Sequence, residues 1–110
     1  MGKVPEKYQE DVKKANFFLK DAGCETVFLF GSMVTGKIHD NSDIDIGVKG
    51  LSPEKFFTVY SKLYMNLGHD FHLVDFDYDK DFFSLLERQG EVIELEYQPS
   101  TATVNKKWNR

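Results

Sequence analysis

The chain has 110 residues, 41% of them apolar and 29% charged, which suits one compact soluble domain with a modest core. Its formal net charge of −4 argues against generic attraction to nucleic-acid phosphate. No apolar run approaches the ~18 residues of a membrane helix. The first residues, MGKVPEKYQEDVKK, lack the apolar centre of a signal peptide, and the single cysteine, Cys24, fits a reducing compartment. The expected location is the cytoplasm.

Taken in chain order, residues 5–22 predict a helix. Pro5 suits its first turn, Gly23 suits its C-terminal cap, and Tyr8, Val12, Ala15 and Leu19 recur on one face. TVFLF, from Thr26 to Phe30, is β-branched and aromatic and predicts a buried strand that ends at Gly31-Ser32. TGKIHDNS reads as loop and turn, with Ser42 ordering the turn through its own backbone. DIDIGVK, Asp43 to Lys49, alternates with period two, placing Ile44 and Ile46 on one face and Asp43 and Asp45 on the other.

A second helix is predicted from Ser52, as cap, and Pro53 to about Asn66, stopped by Gly68. HDFHLVDFD predicts a third strand, DKDFFSLLERQ a third helix closed by Gly90, and EVIELEY a fourth strand. Phe82 and Phe83 cannot point the same way on a helix, which suggests an interaction surface and a homodimer. The alternation predicts an α/β (α+β) fold: a single domain over residues 1–97, with a mixed sheet of about four strands and helices packed on one face. Residues 98–110 are expected to form a flexible tail.

Two carboxylates one residue apart on a strand project from the same face, ~6–7 Å apart, close enough to hold metal ions between them. Alone, the pair is weak evidence and more often marks solvated residues of an edge strand. Gly31-Ser32 alone reads as a turn. A glycine there also lets backbone approach a phosphate, with following N–H groups forming an anion nest and Ser32 adding a hydroxyl.

The combination is more specific. LFGSMVTGKIHDNSDIDIGV resembles the nucleotidyltransferase superfamily with the DNA polymerase β type of fold. It is most similar to the minimal nucleotidyltransferases, small proteins often paired with a HEPN-domain partner. The resemblance covers roughly residues 8–97 and is strongest over Phe28 to Val48.

It implies a Mg²⁺-dependent transfer of a nucleoside monophosphate, AMP from ATP or another nucleoside triphosphate, onto a hydroxyl. The implied acceptor is a tyrosine of a HEPN partner, in an antitoxin-type role. Asp43 and Asp45 are then the metal ligands and catalytic carboxylates, and Gly31 and Ser32 bind the triphosphate. Lys37 joins them, unless it is an ordinary loop lysine. Relatives that catalyse often carry an arginine where this chain has Met33.

Catalytic members also have a third acid on a later strand. Aligned with that pattern, FHLVDFD puts His72 at its position, with Asp70 two residues earlier on the same face. Three readings stand open: His72 or Asp70 completes the site, the chain binds nucleotide but is catalytically weakened and acts on its partner by contact, or both residues are merely surface. His39 and His69 read as exposed polar residues. The tail NKKWNR offers cations and Trp108 to a partner or remains free.

Overall fold

The computed structural model describes residues 4–39 and 41–96, so the expected tail at residues 98–110 lies outside the described residues. The elements are α1 (Glu6–Asp21), β1 (Thr26–Phe30), α2 (Ser32–Thr35), β2 (Ile44–Lys49), α3 (Pro53–Asn66), β3 (Phe71–Asp75), α4 (Lys80–Gln89) and β4 (Val92–Leu95). The four strands form one mixed sheet in the order β3-β2-β1-β4. β1 runs antiparallel to both β2 and β4, and β2 runs parallel to β3.

α1 buries the expected stripe, Tyr8, Val12, Ala15 and Leu19, and with it Asp11. The helix ends as its sequence dictates. Gly23 adopts φ 96°, its N–H donates to Lys20 carbonyl oxygen at 3.0 Å, and Cys24 N–H reaches back to Leu19 carbonyl oxygen at 3.1 Å. The Cys24 thiol is buried, and that burial pushes its pKa up, so it behaves as a small apolar residue. α3 begins at Ser52-Pro53 as predicted, although the Ser52 side chain accepts no capping bond.

The period-two patterns resolve into two faces. On the first, Val27, Leu29, Ile44, Ile46, Val48 and Phe71 pack beneath α1 and α3. This is the main core, covered by helices as the sequence predicts. α4 lies across the sheet, where Phe83 and Leu86 join Phe28, Phe30 and Phe76 in a second, smaller cluster. Phe28 meets Phe83 at 5.1 Å between ring centroids and Phe76 at 5.5 Å, while Phe82 packs on Phe30 at 5.5 Å. Both adjacent phenylalanines of α4 therefore turn inward to one aromatic cluster.

Gly47 makes that cluster fit. It lies on β2 under the Phe76 ring, and a Cβ added there would run into the ring. Phe76 is fully buried as a result, a contribution of about 1.5–3 kcal/mol for a side chain of this kind. The plug covers only one end of the second face. The other end, where β2 begins, remains open and carries the polar residues described next.

Candidate active site

Gly31 ends β1 with φ 70° and ψ −140°, a conformation that side-chain-bearing residues avoid. β1 and β2 are antiparallel with Phe30 opposite Asp45, so the turn after Phe30 lies against the Asp45 side chain. A Cβ on Gly31 would collide with the Asp45 carboxylate. Glycine is thus demanded twice, by the backbone and by the carboxylate seated on it.

The chain then enters α2, which the sequence does not predict as a helix. Val34 and Thr35 N–H groups both bond Gly31 carbonyl oxygen at 3.0 Å, and Gly36 stops the turn at φ 83°. Ser32 opens α2, half-buried, with its first N–H groups free of intrahelical partners as at any helix start. Met33 is fully buried in the main core, so the side chain at that position cannot reach a phosphate. Lys37 lies beyond α2, exposed and outside the carboxylate cluster. In the loop that follows, the Ser42 hydroxyl accepts the His39 N–H at 2.6 Å, ordering the entry to β2.

β3 supplies the third wall. Its parallel register sets Phe71 beside Ile44 and His72 beside Asp45. The alternation therefore resolves as expected, with Phe71 buried and His72 on the open face. His72 bridges both carboxylates: Nδ1 is 3.0 Å from Asp45 Oδ1 and Nε2 is 3.3 Å from Asp43 Oδ2. The bond with Asp45 raises the imidazole pKa above its ordinary 6.5; desolvation, next in size, opposes it, and the charges of Asp45, Asp43 and Asp70 add to the rise. The protonated ring donates at both nitrogens.

Asp70 is exposed at the head of β3, and its carbonyl oxygen accepts the Ile44 N–H at 3.0 Å. Asp75 is not part of the group: its Oδ1 accepts the Asp77 N–H at 2.9 Å in the turn after β3. The structure therefore brings Gly31, Asp43, Asp45 and His72 together, with Ser32 and Asp70 at the margins.

Among the described residues no set of three or more His, Cys, Asp and Glu side chains is arranged to hold a metal ion. The two His72 nitrogens face different carboxylates, so the ring separates Asp43 and Asp45 instead of converging with them on one point. The two carboxylates alone still suit Mg²⁺, which takes one or two protein carboxylates and completes its shell with phosphate and water oxygens.

A cavity of about 400 Å³ opens beside this cluster on the β3 side, lined by Asp43, Tyr60, Tyr64, His69, Asp70 and His72 among others. Behind its wall at Gly68 and His69 lies a polar contact that sequence reasoning missed. Asp11, only 6% exposed, accepts at Oδ2 from the backbone N–H groups of Gly68 and His69, each at 2.9 Å, and lies 2.7 Å from His69 Nδ1. Asp11 falls three residues after Tyr8 and four before Ala15, so the helical spacing itself marked it as inward-facing.

The family model described as polymerase beta, nucleotidyltransferase, matches residues 13–97. The chain belongs to this nucleotidyltransferase family. A crystal structure of a toxin–antitoxin with AMP-PNP is similar to this nucleotidyltransferase with a TM-score of 0.61 and 26% identity, over 83% of this chain and 76% of that one. A mutant of the toxin–antitoxin MntA–HpeT shares 33% identity over 56% of this chain and 54% of its own, with a TM-score of 0.46. No curated protein matches the sequence. Among the described residues, no helix of the nucleotidyltransferase is long and apolar enough to cross a membrane.

Proposed function

We propose that the chain is a cytoplasmic, Mg²⁺-dependent nucleotidyltransferase that moves AMP from ATP onto a hydroxyl, a tyrosine of a HEPN-domain partner, as the antitoxin of the pair. The observation that carries the reading is the placement of Asp43 and Asp45 on one open face, with Asp45 seated on Gly31. Family membership and the similarity to a toxin–antitoxin with AMP-PNP support it. The sites assigned here are Gly31, Ser32 and Lys37 for the triphosphate, and Asp43 and Asp45 for the metal.

Each part follows from local chemistry. Gly31 has no side chain, so phosphate oxygens can approach the backbone, and the Ser32 hydroxyl with the neighbouring N–H groups offers them donors. Asp43 and Asp45 supply hard oxygen ligands. Bound there, Mg²⁺ would offset phosphate charge and make the α-phosphorus more electrophilic. The remaining work is positioning, which the antiparallel β1–β2 pair supports by holding Gly31 against the Asp45 carboxylate.

One observation favours a second reading. His72, which the resemblance sets where catalytic relatives carry an acid, occupies both carboxylates. On that reading the chain holds nucleotide, transfers slowly or not at all, and acts on its partner by contact.

Titrating ATP into the protein with and without Mg²⁺, beside the double variant Asp43→Asn/Asp45→Asn, tests the site. Mg²⁺-dependent heat lost in the variant is the expected result, and equal heats from both proteins would refute it. Transfer of label from the α-phosphate of ATP then separates the transferase from the binding module.

A further inference from the structure

The transferase reading requires a base for the acceptor hydroxyl, and His72 is badly suited to the task. Both its ring nitrogens already face carboxylates. The fold offers another imidazole. In-line displacement brings the entering oxygen to phosphorus opposite the departing pyrophosphate. With the phosphates against Gly31 and Ser32, on the β1 side of β2, the acceptor enters from the β3 side. The cavity of about 400 Å³ opens there, and His69 lies in its wall together with Asp43 and Asp70.

The His69 ring is held by the structure on two sides. Asp11 is buried and its Oδ2 lies 2.7 Å from His69 Nδ1. An ionised carboxylate only accepts hydrogen bonds, so Nδ1 must carry the proton, and in the neutral ring Nε2 keeps its lone pair. The ring packs on buried Tyr8 at 4.5 Å between centroids, which fixes its plane. A third of the side chain, 33%, stays open to solvent. A buried aspartate that orients an accessible imidazole is the arrangement that makes histidine a general base.

We infer that His69, oriented by Asp11, takes the proton of the acceptor hydroxyl, the role a third carboxylate has in the resembled family. The acceptor oxygen forms a bond to the α-phosphorus as the bond from that phosphorus to the β-phosphate bridging oxygen breaks. Pyrophosphate leaves, and the acceptor's proton moves to His69 Nε2. The inference rests on the transferase reading, and the test keeps the two apart.

The assay follows label from [α-³²P]ATP with Mg²⁺ to N-acetyltyrosinamide and water, alongside calorimetric ATP binding and thermal melting. His69→Asn retains an amide that can donate to Asp11 and removes the basic nitrogen. It should melt and bind ATP like the wild type while transferring about 10²–10⁴-fold more slowly.

Wild-type rates in His69→Asn would overturn the inference and leave Asp11–His69 as a clamp between α1 and the turn after α3. A wild type that binds Mg²⁺-ATP but transfers no label overturns it too, while the nucleotide site stands. A wild type that binds no nucleotide removes the transferase reading itself. Should His69→Asn not fold, nitrogen chemical shifts of wild-type His69 decide at about pH 8. A protonated Nδ1 with a bare Nε2 supports the inference, and the opposite tautomer refutes it.

Discussion

Replacing Gly31 with alanine separates the backbone demand from the carboxylate demand. At φ 70° and ψ −140°, alanine pays a conformational cost of order 1–3 kcal/mol. Its Cβ also displaces the Asp45 carboxylate, breaking the 3.0 Å bond to His72. That pair is exposed, so its loss adds less than ~1 kcal/mol. The total, about 1–4 kcal/mol at roughly 4–6 °C per kcal/mol, lowers the melting temperature by about 4–24 °C.

Gly90→Ala is the control. Gly90 also has positive φ, 69°, but nothing lies within 4 Å of an added Cβ. Melting curves by far-UV circular dichroism should show the larger loss in Gly31→Ala, and calorimetry should show Mg²⁺-ATP binding lost only there. The reasoning is refuted if Gly31→Ala melts no lower than Gly90→Ala and still binds Mg²⁺-ATP at wild-type affinity.

The raised His72 pKa makes the metal-free protein pH-sensitive. A folded value above the unfolded one means that the contribution is complete below 6.5 and is lost as pH rises through the folded value. Melting temperature without metal should therefore fall from about pH 6 to 8.5, modestly because the ring is exposed, and less so in His72→Asn; parallel curves would count against the bridge. Gly47→Val drives a side chain into the Phe76 ring and should cost about 1–3 kcal/mol or more, read from the urea midpoint. Combined with Phe76→Ala it should cost less than the sum of the two single changes, and an unaltered midpoint in Gly47→Val alone would show that the ring moves freely.

Much of the fold was legible where the signal is local. The Tyr8–Val12–Ala15–Leu19 stripe, the TVFLF run and the Asp/Ile alternation each report their own element, and Gly23 and Pro53 mark its ends. α2 escaped because four residues are too short for a helical period. The place of α4 escaped for another reason: an all-apolar strand shows that both faces are covered, but not by what. Period two put His72 on the same face as the carboxylates, yet its bridge depends on the parallel β2–β3 register, which neither strand's sequence contains. The Asp11–His69 contact was missed because the buried stripe of α1 was read from its apolar members alone, although the spacing of Asp11 placed it inward.

The sheet order also bears on biosynthesis. β1 pairs with β2 soon after both are made, but its other edge waits for β4, the last of the described strands, with Val27 opposite Leu95. Through that interval the growing chain presents TVFLF with one edge unpaired, and strand edges of this composition recruit other chains. Substitutions in VIEL that weaken β1–β4 pairing should therefore appear first as insoluble product during expression, while the purified fraction retains its site on the opposite side of β1.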